Sequence, residues 1–202
     1  MGRPREFDEA TVLDAAMRRF WAQGYEATSV RNLATDMGIT GASLYNAFGD
    51  KRTLYRQALD FYFEQSVRDR VRRLEGSLPS FAAIRAFFDE VIERSVTDAQ
   101  CRGCLLVNSA LEVSAEDTDL RAAVAAEMVL IEGFFRRCVA SGQADGSITA
   151  HPPPDALAKL LLSLLLGLRV LARTRPQREV LEGAAGGAFA LLQSPTIQGA
   201  MP

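Results

Sequence analysis

The chain has 202 residues, of which 48% are hydrophobic, 24% charged and 8% aromatic. That composition excludes wholesale disorder and allows one domain or two small ones. With 23 Lys and Arg against 25 Asp and Glu the net charge is −2, so any binding to nucleic acid must use a local patch, not bulk charge. Three cysteines, Cys101, Cys104 and Cys138, are too few to staple a chain of this length and point to a reducing, cytoplasmic compartment. Met1 to Asp8 lacks the apolar run of a secretory signal. The most apolar stretch, 156–172, contains Lys159 and Arg169 and is shorter than the roughly 20 residues of a membrane span, so no membrane partner is expected.

Helix signals follow one another along the whole chain, and no alternating β-branched run supports a strand. Asp8 caps a first helix ending at Gly24, with Val12, Ala15, Ala16 and Phe20 on one face. Thr28 or Ser29 opens a short second helix that Gly38 stops, and Thr40 caps a third that ends near Phe48. Asp50 begins a long helix through Leu74. After a break at 76–80, Pro79 starts an amphipathic helix to about Val96. A short apolar segment, 104–113, leads to a long helix from Asp117 or Thr118 to about Ser141. A loop over 143–154 and two closing helices, about 155–173 and 177–193, complete an all-α chain. Three short helices before longer ones divide it into a module at 1–54 and a bundle at 55–202. Residues 1–56 hold eight basic and seven acidic side chains, so the slight positive excess lies in the N-terminal module.

The informative stretch is Thr28–Leu54, TSVRNLATDMGITGASLYNAFGDKRTL. Its two short helices meet at Met37-Gly38-Ile39, and a glycine there allows the bend of a helix-turn-helix. On the second helix Leu44 and Phe48 share an inward face, while Thr40, Ser43, Asn46 and Ala47 form a small polar one. Small side chains admit the helix to a major groove about 12 Å wide and offer hydroxyl and amide groups to base edges. Tyr45 lies to one side, within reach of a phosphate, and Lys51 sits in the first turn of the next helix, where its charge and free N–H groups suit another. The arm Gly2-Arg3-Pro4-Arg5 can reach a flanking minor groove or lie free in solvent.

This pattern, from Gly24-Tyr25 through Thr28-Ser29-Val30, Leu33-Ala34, Met37-Gly38-Ile39-Thr40, Ala42-Ser43-Leu44-Tyr45 and Phe48 to Asp50-Lys51 and Leu54, resembles the DNA-binding domain of the TetR family of bacterial regulators. The resemblance covers about a quarter of the chain. It implies a homodimer that binds a roughly palindromic double-stranded DNA operator, with the last two helices forming the dimer interface. It further implies a small-molecule effector, of unspecified identity, that releases the DNA. Carried over residue by residue, it makes Thr28, Tyr45 and Lys51 phosphate contacts and places Thr40, Gly41, Ala42, Ser43 and Asn46 against the groove. Ala47 and Gly41 depart from the pattern, standing where His or Tyr and Lys are common, so one phosphate contact and one further charge are missing.

Phe87, Phe88, Leu106, Met128, Phe134 and Phe135 are candidate apolar lining for an effector pocket or ordinary core, with Asn108, Glu112 and Arg137 as polar anchors. Cys101-Arg102-Gly103-Cys104 is a lone CxxC, and with His151 the single histidine no metal site or other cofactor is expected. Arg102 and a helix start would favour a thiolate at Cys104, which makes it a candidate electrophile or redox sensor, or else a small buried hydrophobe. The leucine-rich helix at 157–171 is apolar nearly all round, and a second subunit is its natural cover. No Ser/His/Asp set or phosphate loop supports an enzyme. A helical scaffold that binds protein instead of DNA is the remaining alternative.

Overall fold

The computed structural model describes residues 7–193; the Gly2–Arg5 arm of the sequence reading lies outside them. The described chain is helical: α1 Glu9–Gln23, α2 Val30–Asp36, α3 Gly41–Phe48, α4 Lys51–Phe63, α5 Asp69–Leu74, α6 Ser80–Val96, α7 Leu105–Glu112, α8 Thr118–Asp145, α9 Pro154–Thr174 and α10 Arg178–Leu192. No strand occurs among the described residues.

The expected caps form. Asp8 Oδ2 accepts the N–H of Thr11 at 3.0 Å, Ser29 Oγ that of Asn32 at 3.1 Å, Thr40 Oγ1 that of Ser43 at 3.1 Å and Asp50 Oδ1 that of Thr53 at 2.6 Å. Such caps contribute about 1 kcal/mol each and settle where the first four helices begin. Two boundaries differ from the sequence reading. The long helix from Asp50 is interrupted by a π-helical turn at Glu64–Arg68. Helix α8 continues through Gly142 to Asp145. Ile148 folds back onto Gly142, where a Cβ would come within 2.6 Å of the isoleucine side chain, so this glycine serves close approach and not helix termination.

Packing groups the described residues into two compact units, 7–68 with 104–125 and 69–103 with 126–193. In the first, Phe20 and Tyr55 meet edge to face at 4.8 Å, Trp21 and Tyr62 at 5.2 Å, around a core that includes Val12, Ala16, Leu33, Leu44, Leu54 and Ala58. In the second, Phe87, Phe88, Phe134 and Phe135 pack ring against ring, with centroids 5.1–6.3 Å apart, and all four are fully buried.

The second unit also buries two guanidinium groups. Arg70 stacks over the Phe87 ring at 5.2 Å and donates to Glu90 Oε2 at 3.0 Å; burial pushes its pKa below the usual arginine value, and Glu90 opposes that. Arg169 donates to Ser95 Oγ at 2.7 Å, to Gly103 O at 2.7 Å and to Val91 O at 3.3 Å, tying α9 to α6 and to the loop before α7. Removing it leaves these acceptors without that donor in a dry interior. Arg169→Ala should therefore lower stability by about 2–3 kcal/mol, read as a lower urea midpoint at unchanged slope.

Candidate nucleic-acid interface

The helix-turn-helix is built from local signals. Gly38 adopts φ +65, the left-handed region that a side chain disfavours. The turn closes through Gly38 N–H to Thr35 O at 3.2 Å and Ile39 N–H to Ala34 O at 3.0 Å. Leu44 and Phe48 are buried and anchor α3 to the module's core. The opposite side of α3 is left open: Thr40, Ala42, Tyr45 and Asn46 are exposed, and Gly41, Ser43 and Ala47 are half-buried. Tyr45 is 52% exposed, a large ring left half in solvent. The groove-facing set expected from the sequence thus shares one face at the N-terminal end of α3.

One residue stands differently from the expectation, and a second has a neighbour that the sequence did not show. Thr28 is 1% exposed, and its hydroxyl donates to Gly24 O at 2.7 Å. It closes the link between α1 and α2, so its side chain does not reach a phosphate. Lys51 holds its ammonium 4.2 Å from the centre of the Tyr25 ring, an aromatic seat that places the charge beside the α4 N-terminus.

Ion pairs sort the remaining cations. Arg18 pairs with Asp14 at 2.6 Å, Arg19 forks onto Asp36, Arg52 meets Asp117 at 2.6 Å, and Arg56 lies 3.7 Å from Asp119. Among the described residues up to 56, Arg31 and Lys51 are the cations outside these pairs. Arg31 is exposed in the first turn of α2 and was missed by the sequence reading. Its position in the first helix of the motif, with no acidic residue three or four places away, was the available signal.

The candidate pocket residues do not come together within one unit. Phe87, Phe88, Met128, Phe134 and Phe135 belong to the second unit, whereas Cys104, Leu106 and Asn108 belong to the first and are buried there. Of the polar anchors, Arg137 pairs with Glu75, and Glu112 accepts the N–H of Tyr25 at 2.9 Å. Arg70, buried and stacked over Phe87, is a polar group at the aromatic cluster that the sequence did not single out.

At the CxxC, the Arg102 guanidinium is engaged by Asp98 at 2.9 Å, so the charge expected to favour a Cys104 thiolate is neutralised. Cys104 is 8% exposed, with Sγ 3.5 Å from the Tyr62 hydroxyl. Burial pushes the Cys138 thiol up to about 11. Cys101 is half-buried and sits outside any helix. A brief pulse of N-ethylmaleimide at neutral pH should therefore label Cys101 ahead of both other thiols, as read by peptide mass spectrometry. Faster labelling of Cys104 would restore it as the reactive group.

No described helix is long and apolar enough to cross a membrane. Sequence comparison matches residues 12–58 to "Bacterial regulatory proteins, tetR family" and residues 80–186 to "Tetracyclin repressor-like, C-terminal domain". Among curated proteins, the chain is 29% identical to the HTH-type transcriptional repressor ComR of Escherichia coli K12, over 92% of this chain and 89% of that protein. It is 30% identical to the HTH-type transcriptional regulator YezE of Bacillus subtilis 168, over 90% and 94%. Among solved structures, a cysteine mutant of the TetR family transcriptional regulator CifR, complexed with a 26-base-pair operator duplex, superposes with a TM-score of 0.84 at 36% identity, covering 95% of this chain and 100% of that one. With both halves of the family's architecture matched in order and a helix-turn-helix whose outer face is open, the chain belongs to the TetR family of bacterial transcriptional regulators.

Proposed function

We propose that the protein is a ligand-responsive transcriptional repressor that binds a roughly palindromic operator as a homodimer. The observation that carries this reading is the α3 face: exposed Thr40, Ala42, Tyr45 and Asn46 above buried Leu44 and Phe48, with Lys51 at the next helix start. The family is one of DNA-binding regulators, not enzymes, and the similar CifR structure is bound to its operator DNA. Residues 1–54 are the DNA-reading module in this reading, and 55–202 serve ligand binding and dimerisation. Within α3, Gly41, Ala42, Ser43 and Asn46 meet base edges, Thr40 caps the helix at the groove, and Tyr45 and Lys51, joined by Arg31, hold phosphates.

Dimerisation is supported by the faces that α9 and α10 leave open. Leu157, Leu161, Leu165 and Leu168 are covered within the chain, but Leu160 is 46% and Val170 48% exposed. On α10, Gly183, Gly186 and Gly187 have no atom within 4 Å of a would-be Cβ. Each glycine weakens the helix by about 0.5–1 kcal/mol relative to alanine, and nothing among the described residues packs on them. A second copy of the same two helices, at close approach, is the partner that uses such a surface.

The effector is a small, largely apolar molecule, for which Phe87, Phe88, Met128, Phe134 and Phe135 of the second unit are the proposed lining. It acts only through a higher affinity for the DNA-released arrangement. The whole reading is tested by selecting duplexes from a random-sequence pool with the purified protein, then screening compounds for release of the recovered duplex. Enrichment of a near-palindrome is the expected result, and recovery of no duplex sinks the reading.

A further inference from the structure

Two carboxylates flanking the α7–α8 connection grip the DNA-reading module at separate points. Glu112, the last residue of α7, accepts the N–H of Tyr25 on Oε2 at 2.9 Å. Its carboxylate also lies directly on Gly24, where a Cβ would come within 2.7 Å of Oε1. Gly24 has φ +79, so a side chain at this position is opposed both by the backbone and by Glu112. Asp117 takes Arg52 in a two-bond fork, Nε to Oδ2 at 2.9 Å and Nη2 to Oδ1 at 2.6 Å, and Asp119 stands 3.5 Å from the same guanidinium. Arg52 holds the Asp117 carboxyl at about 2, so the pair is charged throughout the neutral range.

Between the two grips lies a cleft of about 100 Å³, bordered by Tyr25, Arg52, Tyr55, Glu112, Asp117 and Leu120. Close packing is incomplete across it, so the polar contacts bridge the gap. Beside them a buried hydroxyl pair, Tyr55 and Ser109 at 2.9 Å, joins α4 to α7. The gripped residues adjoin those that face DNA. The Tyr25 ring carries the Lys51 ammonium, and Arg52 follows Lys51 directly.

We propose that Glu112 and Asp117 are positioning residues for DNA recognition: a two-point clamp on the Tyr25 N–H and on Arg52 sets where Lys51 and α3 stand, and withdraws Arg52 from the DNA backbone. The proposal rests on the DNA-binding reading above. It separates two kinds of loss. Removing a phosphate contact makes the salt dependence shallower, by ~0.9 in log–log slope per contact. Loosening the clamp lowers affinity while every phosphate contact stays available, so the slope does not become shallower.

The test uses full-length protein and the duplex that the wild type recovers from a random-sequence pool. Glu112→Ala and Asp117→Asn should each weaken binding about fivefold to tenfold, the size of one charge-assisted hydrogen bond partly screened by water, with no fall in salt slope. Glu112→Gln keeps an acceptor in place and should recover most of the loss; Asp117→Asn carries the test should the alanine variant fail to fold. In a double-mutant cycle, Arg52→Ala combined with Asp117→Asn should cost no more than either change alone. Unchanged affinity in Glu112→Ala, in Asp117→Asn and in the two combined overturns the clamp. So does an additive cycle in which Arg52→Ala alone makes the slope shallower, because Arg52 is then a phosphate contact. Failure of the wild type to recover any duplex is a different result, since it removes the DNA-binding reading and the clamp together.

Discussion

Glutamate in place of Gly187 should yield a folded monomer whose affinity for operator falls by about 10²–10⁴-fold. The position is chosen on geometry. No atom lies within 4 Å of a Cβ built there, so one chain accommodates the new side chain without shifting. A glycine inside a helix is also replaced by a better helix former, which favours the isolated subunit. In a two-fold dimer the change places two carboxylates against each other in a closely packed seam, where neither has a counter-ion. Leu160→Glu should act in the same direction, because Leu160 is 46% exposed. Leu168→Glu would test something else: Leu168 is 2% exposed, so a charge there disrupts the subunit's own core. Sedimentation velocity at micromolar concentration reads the outcome directly. The operator result follows from the loss of simultaneous binding at two half-sites, expected ~34–36 Å apart or a multiple of that. A dimer of undiminished stability in Gly187→Glu places the interface elsewhere.

Lys51→Ala should weaken binding to all duplexes by a similar factor, about 10–100-fold, with the salt slope shallower by about 1.8 for the dimer, ~0.9 from each protomer. The effect is expected to be large because, among the described residues up to 56, Arg31 and Lys51 are the cations outside ion pairs. Arg18, Arg19, Arg52 and Arg56 are engaged by carboxylates. Tyr45→Phe removes a hydroxyl without a charge and should cost less, again without regard to sequence. Asn46→Ala and Ser43→Ala should instead change which bases are preferred, by about 1–3 kcal/mol of discrimination for a base contact made by two hydrogen bonds. Fluorescence anisotropy across a salt series, on the selected operator and on a scrambled duplex, separates the two behaviours. An unchanged affinity and slope in folded Lys51→Ala removes it from the interface.

The sequence by itself determined the helical character, the start of each short N-terminal helix and the helix-turn-helix. All of these are written in local terms. A cap needs an acceptor three residues from its donor, as in Asp8 with Thr11 and Asp50 with Thr53. The recognition face needs only helical spacing from Leu44 and Phe48, and the turn needs Gly38 at a positive φ. Tertiary structure alone decided the rest, because the deciding partners lie far away along the chain. Thr28 reads as an exposed contact until the α1–α2 link folds it onto Gly24. Arg52 is one more basic residue of the N-terminal module until Asp117, 65 residues on, takes its guanidinium. Glu112 reads as a pocket anchor until its carboxylate meets Tyr25, 87 residues earlier. The α9 leucines, apolar nearly all round, carry no directional pattern, and only packing shows that Leu161, Leu165 and Leu168 turn inward while Leu160 does not. Periodicity specifies a face; which part of the chain returns to cover that face is set by the whole fold.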